Sequence, residues 1–196
     1  MRLWRPDLQT ARGTLITGIV LGTVLSSALA VWQACAVRKT PLPASAGEGV
    51  AIQELRVRQL EFPVSGAAPS TVRDSFLEAR GSRMHQAVDI MAPRGTPVRA
   101  VEGGTIAKLD ESPAGGISVY QFDAAKRYCY YYAHLMGYAA GLREGQKVKR
   151  SEVIGFVGTT GNAPPNTPHL HFAIFRLDEN KQWWRGSAIN PLPVLK

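Results

Sequence analysis

The chain has 196 residues, of which 45% are hydrophobic, 8% are aromatic and 19% are charged. This length accommodates one domain with a tail, and the composition excludes a wholly disordered chain. Two cysteines are too few for a disulfide framework. The formal net charge is +8, but the basic residues are scattered without a run of five. The charge favours a solvated basic surface over attraction to an anionic polymer, although charge alone does not decide between them. We expect no nucleic-acid partner.

The N-terminal region contains an uncharged segment from Gly13 to Val37, preceded by three arginines and one aspartate. As a helix it would span about 37 Å, enough for the hydrocarbon layer of a bilayer at ~30 Å. We predict that residues 1–37 are a signal peptide or a membrane anchor. Either one would export the rest of the chain across the bacterial inner membrane, to the periplasm or cell envelope. Both are favoured over lipidation at Cys35, which lacks the usual aliphatic residue three positions upstream.

Residues 38–59 are predicted to be a linker and lead-in to the domain. The stretch 38–50, RKTPLPASAGEGV, is rich in Pro, Ala and Gly. Residues 51–62 have mixed periodicity and fit either a short helix or a strand. Beyond the membrane segment, we expect no long helix.

The remaining residues, 60–196, are predicted to form one mostly β domain. From about Arg80 onwards, Gly and Pro separate short apolar stretches that are typical of strands. These stretches are AVDIMA, TPVRAV, GTIAKL, ISVYQF, YCYYYAHL, EVIGFVG and HLHFAIF. We expect an antiparallel, sandwich-like sheet, with turns at residues 102–104 and 113–116.

All four histidines of the chain lie in short patterns. His85 and Asp89 form H-x-x-x-D, while His169 and His171 form H-x-H. On a strand, residues two apart share a face, so the H-x-H pair can point the same way. Two imidazoles and a carboxylate form a three-ligand zinc site that leaves a fourth position open for water, as in catalytic sites. His134 alternates onto one strand face with two tyrosines, a position that also suits a core histidine.

Three segments in this order resemble the lysostaphin/LytM-type zinc metalloendopeptidases of peptidoglycan. They are HQAVDIMAPRGTPVRAVEGGTI, YYYAHL and EGQKVKRSEVIGFVGTTGNAPPNTPHLHFAI, and the similarity covers about residues 60–193. The resemblance implies a groove over an antiparallel sheet with a hybrid β-motif. It also implies hydrolysis of peptide bonds in the stems or cross-links of the cell wall.

The same resemblance implies a role for each site residue. His85, Asp89 and His171 match the ligands of one zinc ion per chain. His134 and His169 match the catalytic pair that handles the water and the developing oxyanion, and the division of roles between these two stays open.

The chain departs from the family pattern at three positions without losing a ligand. Ala87 and Ser151 stand where glycine is common, and Ala173 stands where many members carry glutamate, so a contact to a ligand is missing or is supplied elsewhere. Arg80 and Arg83 fit equally well as groove residues facing anionic stem peptides or as surface arginines.

Two other functions compete with an enzyme. One is a non-catalytic wall-binding or activator module of the same fold, against which the complete set of five residues argues. The other is a biotinyl- or lipoyl-type carrier, which would need a Met-Lys or Asp-Lys turn that the sequence lacks. Whether the protein has a regulatory partner stays open.

Cys129 is predicted to be a buried thiol. Trp183 and Trp184 are expected to pack on the sheet rather than stack on sugar.

Overall fold

A computed structural model describes residues 44–195 of the chain. They form one α-helix, α1 (Ala44–Arg58), eleven strands and two short 3-10 helices, Pro69–Thr71 and Leu192–Val194. The strands are β1 (Ala79–Arg80), β2 (Arg83–Met84), β3 (Val88–Met91), β4 (Pro97–Arg99), β5 (Gly104–Ser112), β6 (Gly116–Asp123), β7 (Tyr128–Tyr138), β8 (Lys147–Val148), β9 (Val153–Val157), β10 (His169–Leu177) and β11 (Gly186–Ile189). All seven predicted stretches form strands, so the mostly β fold is confirmed.

The predicted N-terminal segment, residues 1–37, lies outside the described residues. Within residues 44–195, no helix has both the length and the apolar character needed to cross a bilayer.

Nine strands form one antiparallel sheet with the path β11-β10-β7-β6-β5-β8. One side of β10 pairs with β7, while the other side pairs with β3 at the start of the strand and with β11 at its end. The last residues of β7 pair with β9, which also pairs with β4. Strand β10 therefore lies centrally, with β3 and β7 as its neighbours where the H-x-H pattern begins.

The core lies on one face of β10. Leu170, Phe172 and Ile174 alternate along the strand and are fully buried, as the sequence predicts. Tyr132, opposite Phe172 on β7, is also fully buried. Its hydroxyl donates a hydrogen bond to Gln121 at 2.8 Å, so its polar group is satisfied inside the core. The other face of β10 is left for the histidines.

The main difference from the prediction is helix α1, which occupies most of the expected linker. Its 15 residues end at Arg58 because Gln59 adopts a left-handed φ of 53°. Ala51 and Leu55, one helical turn apart, are buried in the main hydrophobic core. The composition of this stretch resembles a linker, but its apolar pair packs against the domain, and this tertiary contact outweighs the Gly-rich composition.

Partly buried ion pairs also hold α1 on the sheet. Arg58 Nη1 lies 2.9 Å from Glu102 Oε1 and 3.0 Å from Asp123 Oδ2, and Asp123 is almost fully buried. Glu54, one turn earlier in the helix, accepts a hydrogen bond from the Tyr128 hydroxyl at 2.9 Å. The helix is thus part of the folded domain.

The sequence patterns also miss a small hairpin. Strands β1 and β2 pair with each other as a separate two-stranded unit, joined by Gly81 and Ser82. Both strands are exposed along their length. Because they carry no apolar alternation, hydrophobic periodicity could not identify them.

Candidate metal centre and active-site groove

Strand pairing brings the two histidine motifs together. In the register of β3 and β10, His171 lies directly opposite Asp89, so their side chains share a face. His85 precedes β3 and reaches the same point, with its Nε2 atom 3.1 Å from Asp89 Oδ1 and 3.1 Å from His171 Nδ1. His171 Nδ1 lies 3.2 Å from the same Asp89 oxygen. The structure therefore brings together the three residues that match the zinc ligands.

The geometry of this cluster fits a metal ion. Ligand atoms about 2.0–2.2 Å from a tetrahedral zinc lie roughly 3.3 Å apart, close to the separations seen here. Burial lowers the pKa of His171, which keeps its imidazole neutral and able to ligate. Burial opposes ionisation of Asp89, but its contacts with His171 and His85 outweigh this effect and hold the pKa of the carboxyl far below its usual range. Among residues 44–195, this is the group of histidine and acidic side chains arranged to hold a metal.

Two further residues orient the cluster. His85 Nδ1 lies 3.1 Å from the carbonyl oxygen of Ser75 and can donate to it, which leaves Nε2 free to face the other two residues. Asp89 directs its second oxygen, Oδ2, to Arg80 Nη2 at 3.0 Å. Ala173 has no polar side chain, and the contacts to the cluster described here come from Arg80 and Ser75. Neither contact has a signature in the sequence.

His134 and His169 lie beside this cluster, with ring centroids 5.0 Å apart. Each directs Nδ1 to a backbone carbonyl at 2.8 Å, that of Thr160 for His134 and that of Thr167 for His169. A carbonyl only accepts hydrogen bonds, so Nδ1 carries a proton in both rings, and in the neutral ring Nε2 is the acceptor. Burial lowers the pKa of His134 to about 4, which keeps this ring neutral near neutral pH.

The position of His134 corrects the predicted alternation along β7. Tyr130 and Tyr132 do face the core, but His134 does not share their face and instead lies with Ala133 in the groove. The cause is a bulge, where the register between β6 and β7 shifts. His134 has a left-handed φ of 60°, which turns its side chain to the other side of the sheet. Such a conformation is rare outside glycine and typical of functional sites.

The loop after β9 orients His134, because its Thr160 carbonyl accepts the hydrogen bond from His134 Nδ1. The hydroxyl of Thr160 in this loop donates to the carbonyl of Leu135 at 2.7 Å and accepts from the amide of Ile117 at 3.0 Å. A Cβ added at Gly116 would lie 2.2 Å from the Thr160 hydroxyl oxygen, so this contact needs a glycine. The loop thereby fixes the carbonyl that orients His134.

All five residues line one groove of about 650 Å³. Its floor includes Tyr131 and Phe175 from the face of the sheet opposite the core, one wall is the β1–β2 hairpin with Arg80 and Arg83, and the other wall includes Asn162. Its depth leaves His134 and His169 6% and 7% exposed. The predicted groove over the sheet is therefore present, and both arginines line it.

The two neighbouring tryptophans differ in how they pack. Trp183 packs on Tyr120, with ring centroids 4.5 Å apart, as expected for packing on the sheet. Trp184 contacts Trp183 but is 63% exposed.

Cys129 is fully buried, and burial raises the pKa of its thiol to about 12, as expected of an unreactive core cysteine.

The sequence and the fold were compared with known proteins. The chain is 32% identical over 143 residues to an L-Ala--D-Glu endopeptidase of Bacillus subtilis, covering 69% of this chain and 42% of that protein. The structure resembles Csd3 of Helicobacter pylori with a TM-score of 0.55 and 28% identity, covering 70% of this chain and 33% of that one. It also resembles the catalytic domain of the antimicrobial peptidase lysostaphin from Staphylococcus simulans, with a TM-score of 0.50 and 26% identity. That match covers 72% of this chain and 95% of the lysostaphin domain.

The chain spans less than half the length of the curated relatives that it matches. The family model for Peptidase family M23 matches residues 83–191, which include all five residues of the groove and more than half of the chain. The chain therefore belongs to Peptidase family M23.

Proposed function

We propose that the protein is a zinc metalloendopeptidase that hydrolyses peptide bonds in the stems or cross-links of bacterial peptidoglycan. The observation that carries this proposal is the convergence of His85, Asp89 and His171 beside two buried histidines in one groove. A relative of 32% identity is named for cleavage between L-Ala and D-Glu, which supports a cell-wall peptide as substrate. The alternative, a non-catalytic wall-binding module, does not require this complete set of residues.

One zinc ion per chain would be held by His85 Nε2, Asp89 Oδ1 and His171 Nδ1. When bound, zinc supplies Lewis-acid polarisation of the scissile carbonyl and makes water a stronger nucleophile near neutral pH. Ser75 and Arg80 keep the donor atoms of His85 and Asp89 directed at the ion.

His134 and His169 would carry the proton transfers. A neutral Nε2 atom accepts the proton of the attacking water, and the same ring then donates that proton to the leaving amine. The imidazolium formed between these steps is stabilised by its Nδ1–H hydrogen bond to a backbone carbonyl, from Thr160 or Thr167. The two histidines have equivalent hydrogen bonds, so either can be the base, and the division of roles between them stays open.

We also propose that residues 1–37 place this domain in the periplasm or cell envelope, attached to the membrane where the segment is not cleaved. The uncharged run behind three arginines supports this location. Fractionation of cells that express the full chain, with N-terminal sequencing of the product, tests it. Recovery of the uncleaved chain from the cytoplasm alone would contradict export.

Metal analysis of variants tests the assignment of roles. We expect one zinc per wild-type chain and loss of both zinc and hydrolysis in His171→Ala and Asp89→Ala. In His134→Ala and His169→Ala, zinc should stay bound while hydrolysis of cell-wall peptides is lost. Full hydrolysis by metal-free His171→Ala protein would contradict the proposal.

A further inference from the structure

The β1–β2 hairpin places two arginines on one face. Arg80 and Arg83 are directly paired in its register, and side chains of paired residues project from the same face of a hairpin. Both residues line the groove, and Arg80 reaches Asp89 across it. Arg83 therefore projects towards the groove beside Arg80.

The two arginines differ in their partners. Arg80 lies 3.0 Å from Asp89 Oδ2 and 3.6 Å from Glu78 Oε1, so its charge is balanced. Arg83 is exposed, and among residues 44–195 it forms no ion pair and no side-chain hydrogen bond. The hairpin thus presents one neutralised arginine and one whose charge is uncompensated.

Nothing else that lines the groove balances the charge of Arg83. Asp89 is the sole acidic residue among the described residues that line it, and its two oxygens already face Arg80 and the two histidines. Arg83 therefore keeps a positive charge that no carboxylate of the described groove residues faces. A guanidinium without a protein partner on the wall of a groove is available to an anionic group of a ligand that lies there.

We propose that Arg83 binds a carboxylate of the substrate peptide, so that the groove selects anionic stem peptides over peptides that are neutral at this point. The planar guanidinium can form two parallel hydrogen bonds to a carboxylate. This inference rests on the proposed function, because it concerns the peptide that occupies the same groove.

The test uses stem peptides of one sequence in which each free carboxylate is converted in turn to a carboxamide. With the zinc-loaded full chain, we expect one of these amidations to lower kcat/KM about tenfold or more, through KM. Arg83→Gln should lose this discrimination, cleaving the acid and that amide with kcat/KM values within a factor of two. Arg83→Lys should restore part of it.

Arg143→Gln is the matched control, because it removes the same charge from an exposed arginine that does not line the groove. It should discriminate between acid and amide as the wild type does. The inference is overturned if no amidation changes kcat/KM more than twofold, or if Arg83→Gln lowers the rates for acid and amide equally.

Equilibrium binding separates this inference from the proposed function. If no peptide is hydrolysed by zinc-loaded protein, the proposed function fails, but fluorescence anisotropy with labelled acid and amide peptides still tests Arg83. Tighter binding of the acid that disappears in Arg83→Gln supports the carboxylate site. Equal binding of acid and amide by the wild type contradicts it.

Discussion

Asp89 uses its two carboxylate oxygens for different purposes. Oδ1 faces His85 and His171, while Oδ2 accepts a hydrogen bond from Arg80. A carboxylate held from both sides cannot rotate freely, so the donor oxygen is already directed at the metal position before an ion binds. Preorganisation of this kind raises metal affinity.

Arg80→Gln should therefore weaken zinc binding by about 10- to 100-fold, the usual effect of losing a residue that orients a ligand. Competition with a chromogenic chelator measures this affinity directly. Arg83→Gln is the control, because Arg83 lies on the same hairpin without contacting Asp89, and it should bind zinc as the wild type does. Equal affinities of Arg80→Gln and wild type would contradict the positioning role.

The ionisation and reactivity of the Cys129 thiol report on the burial of strand β7 at this residue. Its thiol pKa is raised by burial to about 12 from a usual value near 9, so the native thiol stays neutral at pH 9. The unfolded chain releases this proton near pH 9 and the folded chain only near pH 12, so the thiol favours unfolding increasingly as pH rises through this interval.

In a Cys35→Ser variant, where Cys129 is the single thiol, a disulfide reagent at pH 9 should react slowly with the native protein and at once in denaturant. Rapid stoichiometric reaction of the native protein would show that Cys129 is accessible.

At the scale of elements, the bulge in β7 decides where His134 lies. Alternation predicts the positions of Tyr130 and Tyr132 correctly, but the left-handed φ of His134 depends on contacts with a loop more than twenty residues later. No local pattern marks such a bulge at a non-glycine residue, so the sequence could identify His134 as a candidate but not its face.

Thr160 is the residue whose loss should release that loop. Thr160→Val keeps the shape but leaves the amide of Ile117 and the carbonyl of Leu135 without their partner, at an expected cost of about 1–3 kcal/mol in unfolding free energy. Urea denaturation of the metal-free protein measures this change. Thr160→Ser keeps the hydroxyl and should lie within about 1 kcal/mol of the wild type. Equal stabilities of Thr160→Val and wild type would contradict the bridging role.

Helix α1 should contribute to the stability of the domain through Arg58. Arg58→Ala leaves the buried Asp123 carboxylate without its cation and should lower the unfolding free energy by roughly 3 kcal/mol. Chemical denaturation is again the measurement. Arg73→Ala breaks an exposed pair with Glu78 and should change stability by less than about 1 kcal/mol. A similar small change for Arg58→Ala would contradict a stabilising role for the Arg58–Asp123 pair.

At the scale of the whole molecule, the sequence predicts the strands and the site residues better than it predicts the contacts that orient the site residues. Strands such as β10 could be predicted because alternation and flanking Gly and Pro are local signals. The approach of His85 to His171, 86 positions apart, was expected from the spacing of motifs and from the family resemblance. The supports from Ser75 and Arg80 could not be predicted, because they depend on how a hairpin without apolar periodicity folds back over the sheet.

The central claim is that the groove hydrolyses peptide bonds and depends on a metal ion. The most direct measurement is digestion of purified peptidoglycan by the full-length protein, with mass analysis of the soluble fragments, in the presence and absence of a chelator. We predict fragments with newly cleaved peptide bonds, their loss with chelator, their return when zinc is added, and their absence with His134→Ala. Peptide cleavage that persists in metal-free protein, or no peptide cleavage by protein carrying one zinc per chain, would contradict the account.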